Sequence, residues 1–296
     1  MIKIAIIGFG KLGKSLANIL RVKENSLEIA AWDVVATGDP RQKQTCEEAV
    51  KNASVVFFVV PSAFFGESVN NAAPHVSNKS VVVSCTKGLD GKSGLLPISI
   101  LEKSLPKNTN AVLSGPMLSE ELESNLPTKA TLSSRKTKEL ERVREIFRNT
   151  SLELEICGDP VGVSWWGILK NIYALGFGLS DGLGLGSNFR SCLALQAVKE
   201  IQLIVKSQKG KTESVLSYAG LSDFLATGFS SKSRNYSYGF NFLKQENRNE
   251  NLAEGAKKLN IVFQKTEKIK LPLLLALKNI FTENQNPKEE LLKAIK

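Results

Sequence analysis

Short apolar runs alternate with helical patterns through the first half of the chain. The run IKIAIIG is rich in isoleucine, and a helical pattern follows it from about Lys11 to Val22. The later runs that have the length and composition of strands are LEIAAWD, SVVFFVV, SVVVSC, NAVLSG, TKATLSS and LELEIC. This alternation predicts an α/β domain whose mostly parallel, doubly wound sheet is covered by helices on both faces.

From about Asp159 onward the chain shows helical spacing only. The segments with apolar residues three and four positions apart are VSWWGILKNIYALGFGLSDG, CLALQAVKEIQLIVKSQ, TESVLSYAG, LAEGAKKLNIVFQKTEKI and LLLALKNIFTE. The sequence therefore predicts an α/β domain over residues 1–157 and an all-α C-terminal domain over residues 158–296.

A glycine motif opens the first predicted helix. Gly8, Gly10 and Gly13 form G-x-G-x-x-G between a strand and a helix. The first glycine permits a tight turn, the second lets the backbone approach a pyrophosphate, and the third lets helix and strand pack closely. An ordinary turn with three glycines is the alternative, and the strand-turn-helix context disfavours it. We therefore expect a dinucleotide-binding Rossmann domain.

The residues expected to contact the ribose of the cofactor are compatible with either NAD or NADP. Asp33 follows the second strand, where an acid binds the ribose hydroxyls of NAD and repels a 2′-phosphate, which favours NAD over NADP. Arg41 and Lys43 could instead pair with a 2′-phosphate. Lys11 could add a charge beside the pyrophosphate or be a solvated lysine of the first helical turn.

Lys170 is an unusual charge on an apolar helix face. If Val161 to Ser180 is a helix, Lys170 shares one side with Trp166, Ala174 and Phe177. An ammonium in such a place is costly to desolvate unless it is paired or its pKa falls. A lysine that snorkels to water from a buried helix is the structural alternative.

Composition and charge narrow the classes of function. The net charge is +10, but the basic residues are mostly interleaved with acids, so we expect a small anionic partner and no nucleic acid. The four cysteines lack metal-ligand spacing and His75 is the sole histidine, so we expect no metal site. No apolar run is long enough to span a bilayer, and the first strand leads into the glycine motif rather than a cleavage site. We therefore expect a cytoplasmic protein without an integral membrane segment.

Several polar and glycine-rich segments accompany the glycine motif in a fixed order. They are VVPSAFFG, CTKGLD, LSGPMLSEEL, LKN, DGLGLGSN and GLSDFLATGFSSKSRNYSYG. In this order and spacing they resemble the bacterial-type NAD(P)-dependent sn-glycerol-3-phosphate dehydrogenases, from Ile2 to about Gly255. The resemblance implies a homodimeric oxidoreductase that interconverts dihydroxyacetone phosphate and sn-glycerol 3-phosphate for phospholipid biosynthesis.

The resemblance also implies roles for the matching positions. Lys170 matches the proton acceptor and donor, and Lys87 and Asp223 match further catalytic residues. The implied substrate contacts are Lys87, Gly115, Asn171, Thr227, Ser233, Arg234 and Asn235. The implied contacts to NAD or NADP are Gly8, Gly10, Lys11, Leu12, Gly13, Asp33, Pro61, Lys87, Arg234 and Glu254.

The residue types fit this chemistry. Oxidation of a secondary alcohol needs a base for the hydroxyl proton while hydride leaves for the nicotinamide. A desolvated lysine near another cation can serve as that base, because burial and like charge both lower an ammonium's pKa. Arg234 offers a planar fork that matches phosphate oxygens.

Three departures from the family pattern keep other functions open. Met117 stands where relatives usually have Ser or Thr, Lys11-Leu12 replaces a small hydroxyl residue and an aromatic, and the segment between Asp33 and Ala53 is short. The alternatives are a related dehydrogenase for another small phosphorylated or carboxylated hydroxy acid, and a non-catalytic nucleotide-binding protein.

Overall fold

The computed structural model describes residues 1–23, 25–244 and 252–296. These residues form two compact units, Met1–Ser164 and Trp165–Lys296. Residues 245–251, which the family resemblance and the predicted second domain include, lie outside the described residues.

The first unit is built on a seven-stranded sheet. Its strands are β1 Ile2–Ile7, β2 Leu27–Trp32, β3 Val55–Phe58, β4 Val81–Ser84, β5 Thr109–Ser114, β6 Thr128–Ser133 and β7 Leu152–Cys157. The spatial order is β2-β1-β3-β4-β5-β6-β7, and neighbouring strands are parallel except for the antiparallel pair β5 and β6. The predicted mostly parallel sheet is confirmed.

Six α-helices lie among the described residues of the first unit. They are α1 Lys11–Ile19, α2 Cys46–Val50, α3 Phe65–Ala72, α4 Pro97–Ser104, α5 Ser119–Glu123 and α6 Glu141–Ile146. The helix predicted from Lys11 to Val22 is α-helical only to Ile19 and continues as a 3₁₀ turn over Leu20–Lys23. A 3₁₀ turn at this end is common, since it tightens the last turn of a helix.

The sheet is buried on both faces, which explains the near-continuous apolar strands. Ile4 and Ile6 of β1 belong to one hydrophobic cluster, whereas Ala5 and Ile7 belong to another. Successive side chains of a strand point to opposite faces. Because helices cover both faces of the sheet, a central strand carries apolar residues at every position.

The regular structure described in the second unit is helical. The α-helices described from residue 160 onward are α7 Pro160–Gly182, α8 Gly186–Ser207, α9 Asp223–Gly228, α10 Arg234–Phe240, α11 Glu254–Thr266, α12 Pro272–Glu283 and α13 Pro287–Ala294. The segment TESVLSYAG forms a 3₁₀ helix over Thr212–Leu216 and enters a π-helical turn over Tyr218–Ser222. The predicted all-α region is confirmed. Within the described part of the chain, every helix is too short or too polar to cross a membrane.

Candidate functional site

The glycine motif forms a tight turn between β1 and α1. Gly8 has a φ of +94°, and a Cβ there would lie 2.6 Å from the carbonyl oxygen of Val59. A Cβ at Gly13 would lie 2.2 Å from the carbonyl oxygen of Gly8, so both positions require glycine. A Cβ at Gly10 would meet no described atom within 4 Å. The turn is therefore packed on its inner side and open at Gly10, as the approach of a pyrophosphate requires.

Asp33 is fixed beside this turn. Its Oδ2 accepts a hydrogen bond from the backbone N–H of Phe9 at 2.6 Å, and its Oδ1 accepts one from the N–H of Val35 at 3.0 Å. The carboxylate thus stands at the end of β2 next to the glycine turn, the position of the ribose-binding acid in Rossmann domains. The glycine turn and Asp33 fit a dinucleotide cofactor.

Arg41 is engaged within the protein. Its Nε and Nη2 donate to the two carboxylate oxygens of Asp39 at 2.8 and 2.7 Å, and its Nη1 donates to Oδ1 of Asn18 at 3.0 Å. The guanidinium also lies 5.4 Å from the ring centre of Phe9. The hydrogen bonds from Arg41 lower the pKa of Asp39 to about 2. Sequence reasoning missed this pairing, although the acid and the arginine lie two residues apart.

Three other predicted cofactor residues lie around the ends of β1 and β3. Lys11 is exposed in the first turn of α1, Leu12 is half-buried against the core, and Pro61 is exposed just before a 3₁₀ turn. Their roles stay predictions.

Lys87 and Gly115, two predicted substrate residues, are in contact. Lys87 is half-buried, and its Nζ donates to the carbonyl oxygen of Gly115 at 2.9 Å. Asp90 anchors the same loop, because its Oδ1 accepts from the N–H of Gly66 at 3.0 Å and its Oδ2 accepts from the N–H of Ser93 at 2.8 Å. The sequence analysis does not identify Asp90, although the pattern Asp-Gly-Lys-Ser is typical of a turn that an aspartate side chain stabilises.

In the second unit, Lys170 lies in a buried polar cluster. Its Nζ is 2.5 Å from Oδ1 of Asp223 and 2.9 Å from Oγ1 of Thr227. The side chains of Lys170 and Asp223 are only 6% and 3% exposed. The structure therefore brings together three predicted residues from α7 and α9, and the lysine does not snorkel to water.

Asn235 links three helices beside this cluster. Its Nδ2 donates to Oδ1 of Asn171 in α7 at 3.0 Å, and its Oδ1 accepts from the N–H of Gly255 in α11 at 2.8 Å. Because both ends of the amide are used, Asn235 fixes the start of α10 relative to α7 and α11.

The neighbouring predicted residues lie at helix ends. Ser233 is the N-cap of α10, and its Oγ accepts from the N–H of Tyr236 at 3.4 Å. Arg234 and Glu254 are exposed first residues of α10 and α11. Their exposure leaves both side chains accessible to small molecules.

Asp181 joins α7, α8 and α10. Its Oδ2 accepts hydrogen bonds from Arg190 and from the hydroxyl of Tyr236. Burial first, and then the hydrogen bond to Asp181, raise the pKa of Tyr236. Gly178 lets α10 approach closely, because a Cβ there would lie 1.9 Å from the carbonyl oxygen of Tyr236. The sequence analysis does not predict this close approach of α10 to α7. The two glycines four residues apart in GLSDG are the feature that indicates it.

Met117 lies in the core of the first unit. It is 8% exposed and belongs to the same hydrophobic cluster as Phe9, Leu16 and Cys85. Its thioether therefore fills packing space. Among the described residues, no group of three or more His, Cys, Asp or Glu side chains could hold a metal ion.

Comparison with known proteins gives consistent matches along the chain. Models of the NAD-dependent glycerol-3-phosphate dehydrogenase N-terminus and C-terminus match residues 41–140 and 159–292. The glycerol-3-phosphate dehydrogenase [NAD(P)+] of Synechocystis sp. is 31% identical over 284 residues, which cover 92% of this chain and 86% of that protein. The enzyme of the same name from Rhizobium etli is 29% identical over 256 residues, covering 80% of this chain and 78% of that protein.

A solved structure extends the similarity to the fold. Glycerol-3-phosphate dehydrogenase from Coxiella burnetii superposes with a TM-score of 0.86 at 26% identity, and the match covers 98% of each chain.

Proposed function

This chain belongs to the NAD-dependent glycerol-3-phosphate dehydrogenase family, and from that premise we propose that it interconverts dihydroxyacetone phosphate and sn-glycerol 3-phosphate with NAD or NADP. The observation that carries the proposal is the buried contact of Lys170 with Asp223 and Thr227. A buried charge cluster is costly to maintain. Such a cluster is typical of a site that moves a proton.

Lys170 holds the proton at the reacting oxygen. When bound, the nicotinamide supplies or accepts the hydride. In the reductive direction, the Lys170 ammonium donates a hydrogen bond to the ketone oxygen and transfers its proton there, so the carbonyl carbon gains hydride and the oxygen gains a proton. In the oxidative direction the neutral amine takes that proton from the hydroxyl. Asp223 and Thr227 orient Nζ for both steps.

The substrate's phosphate needs cationic and hydrogen-bonding partners. We assign this role to the exposed fork of Arg234 and to the N-terminal turn of α10 that Ser233 and Asn235 fix. Lys87 is proposed as a further substrate contact, and its hydrogen bond to Gly115 holds its ammonium in one position.

The cofactor would be held by the glycine turn and Asp33. Gly10 leaves space for the pyrophosphate, and the carboxylate of Asp33 accepts from ribose hydroxyls. The other proposed cofactor contacts are Lys11, Leu12, Pro61 and Glu254.

The cellular setting is also part of the proposal. We place the protein in the cytoplasm as a homodimer that supplies the glycerol backbone of phospholipids. Free cysteines support a reducing compartment. Exposed leucines of the second unit, Leu195, Leu203, Leu216 and Leu225, support association between copies.

The test is oxidation of NADH and of NADPH with dihydroxyacetone phosphate as substrate. We expect turnover with at least one cofactor, and a much lower kcat/KM with dihydroxyacetone, which lacks the phosphate. Cofactor binding without turnover would identify a non-catalytic nucleotide-binding protein. Turnover only with other small phosphorylated or carboxylated keto compounds would also overturn the proposal.

A further inference from the structure

We propose that Asp39 makes this chain prefer NAD(H) over NADP(H) by holding the guanidinium of Arg41 away from a 2′-phosphate. This inference rests on the proposed binding of a dinucleotide at the glycine turn. All of the residues involved lie in the first unit.

Backbone hydrogen bonds place Arg41 at the C-terminal end of β2, next to the proposed cofactor site. The N–H of Ala31 donates to the carbonyl oxygen of Arg41 at 2.9 Å, and the N–H of Lys43 donates to the carbonyl oxygen of Ala31 at 2.8 Å. Ala31 lies in β2 just before Asp33. The short segment after Asp33 thus returns directly along the edge of β2. It brings Arg41 to the C-terminal end of this strand, where the ribose of the cofactor would bind.

The side chain of Arg41 lies beside the same turn as Asp33. Its guanidinium is 5.4 Å from the ring centre of Phe9, and the backbone N–H of Phe9 binds the carboxylate of Asp33. Arg41 is therefore an arginine that this geometry makes available to a 2′-phosphate.

Asp39 competes for that guanidinium. The pair is bidentate, with N–O distances of 2.8 and 2.7 Å, and Asn18 takes a third N–H at 3.0 Å. The side chains of Arg41 and Asp39 are 22% and 17% exposed, so solvent screens the pair only partly. Because the pKa of Asp39 is about 2, the carboxylate stays charged throughout the neutral range.

A 2′-phosphate therefore meets two unfavourable conditions. It must displace Asp39 from Arg41, and it adds negative charge near the carboxylates of Asp33 and Asp39. A 2′-hydroxyl has neither difficulty, because it can donate to Asp33 while the Asp39–Arg41 pair stays intact. The pair thus acts as a specificity determinant without touching NAD.

Binding titrations without substrate test the proposal. We expect wild-type protein to bind NADH more tightly than NADPH. In Asp39→Asn, which keeps an acceptor for the backbone N–H of Arg41 but removes the charge, the ratio of the NADPH Kd to the NADH Kd should fall by about tenfold. The double variant Asp39→Asn/Arg41→Ala should lose this gain, because the released guanidinium is absent.

Arg41→Ala alone provides an independent measurement if Asp39→Asn fails to fold. Because a 2′-phosphate would gain affinity only through the guanidinium of Arg41, this variant should show no selective gain in NADPH affinity. A selective gain of NADPH affinity in Arg41→Ala, an unchanged ratio in folded Asp39→Asn, or a gain that persists in the double variant would each overturn the proposal. Failure of wild-type protein to turn over dihydroxyacetone phosphate would count against the proposed function, whereas these Kd ratios report on Asp39 alone.

Discussion

Lys170 is a buried cation in the second unit, and Asp223 carries a matching charge within hydrogen-bonding distance. Removal of one partner of such a pair leaves an uncompensated charge in a medium of low dielectric, which typically costs about 3–5 kcal/mol. Replacement of both partners avoids this cost. The cluster should therefore show strong coupling between its two charges.

Asp223→Asn should accordingly lower the free energy of unfolding by about 3 kcal/mol. The double variant Lys170→Met/Asp223→Asn should recover part of that loss, because no buried charge is left without its partner. Urea unfolding of the wild type, both single variants and the double variant gives the coupling energy. Additive losses would show that the two charges do not depend on each other.

The glycines of the cofactor turn have separable roles. Gly10→Ala adds a methyl group to open space, so it should leave unfolding by urea nearly unchanged but weaken NADH binding. Gly13→Ala places a methyl group against the carbonyl oxygen of Gly8, so it should reduce both stability and binding. Equal effects of the two substitutions on stability would contradict this division.

At single residues, the sequence identifies side chains more readily than their partners. The odd position of Lys170 on an apolar face and the glycine spacing are visible in the sequence itself. The pairs Asp39–Arg41 and Asp181–Tyr236 are not, because the first depends on the conformation of a short loop and the second on α10 returning to α7. Exposed Asp-Arg neighbours are common, and only the fold shows that this pair adjoins Asp33.

At the scale of elements, Glu200 connects the helices of the second unit. This carboxylate of α8 is 1% exposed and accepts hydrogen bonds from the N–H groups of Leu273 and Leu274 at the start of α12, at 2.7 and 2.9 Å. The hydroxyl of Tyr173 in α7 also donates to it at 2.9 Å. Burial raises the pKa of Glu200 despite these hydrogen bonds.

This raised pKa predicts a pH dependence of stability. A carboxyl whose pKa is higher in the folded state contributes stability below its unfolded value of 4.5, and that contribution is lost as the pH rises through the folded value. The stability of wild type relative to Glu200→Gln should therefore fall as the pH rises from about 4.5, with a limiting slope of about 1.4 kcal/mol per pH unit.

Urea unfolding at several pH values measures this difference. Glu213→Gln is the matched control, because Glu213 is exposed in the same unit. We expect no comparable slope for it. If the difference in unfolding free energy between wild type and Glu200→Gln does not depend on pH, folding does not shift the pKa of this carboxyl.

Elements with strong periodicity are predictable from the sequence, whereas their directions and ends are less so. The strands and the long helix α7 follow directly from apolar patterning. The antiparallel pairing of β5 with β6 does not, because strand direction depends on how the connection through the five-residue α5 returns to the sheet. The π-helical turn at Gly220 likewise has ordinary helical spacing in the sequence.

At the scale of the whole molecule, the net charge of +10 favours encounter with anionic substrate and cofactor. Salt should screen this attraction, since the Debye length falls from about 30 Å at 0.01 M to about 8 Å at 0.15 M ionic strength. We therefore expect kcat/KM for dihydroxyacetone phosphate to fall several-fold over that range. Dihydroxyacetone, which is uncharged, serves as the control at saturating cofactor. Equal salt responses of the two substrates would argue against electrostatic steering by the protein.

The central claim is that Lys170 transfers the proton to and from the substrate oxygen. The most direct measurement is the kcat of Lys170→Met for oxidation of NADH by dihydroxyacetone phosphate, together with the Kd for NADH. Lys199→Met, which removes an exposed lysine of α8, is the control. We predict that Lys170→Met loses about a thousandfold or more in kcat while it still binds NADH, and that the control stays close to wild type. A near-normal kcat in Lys170→Met would contradict the account.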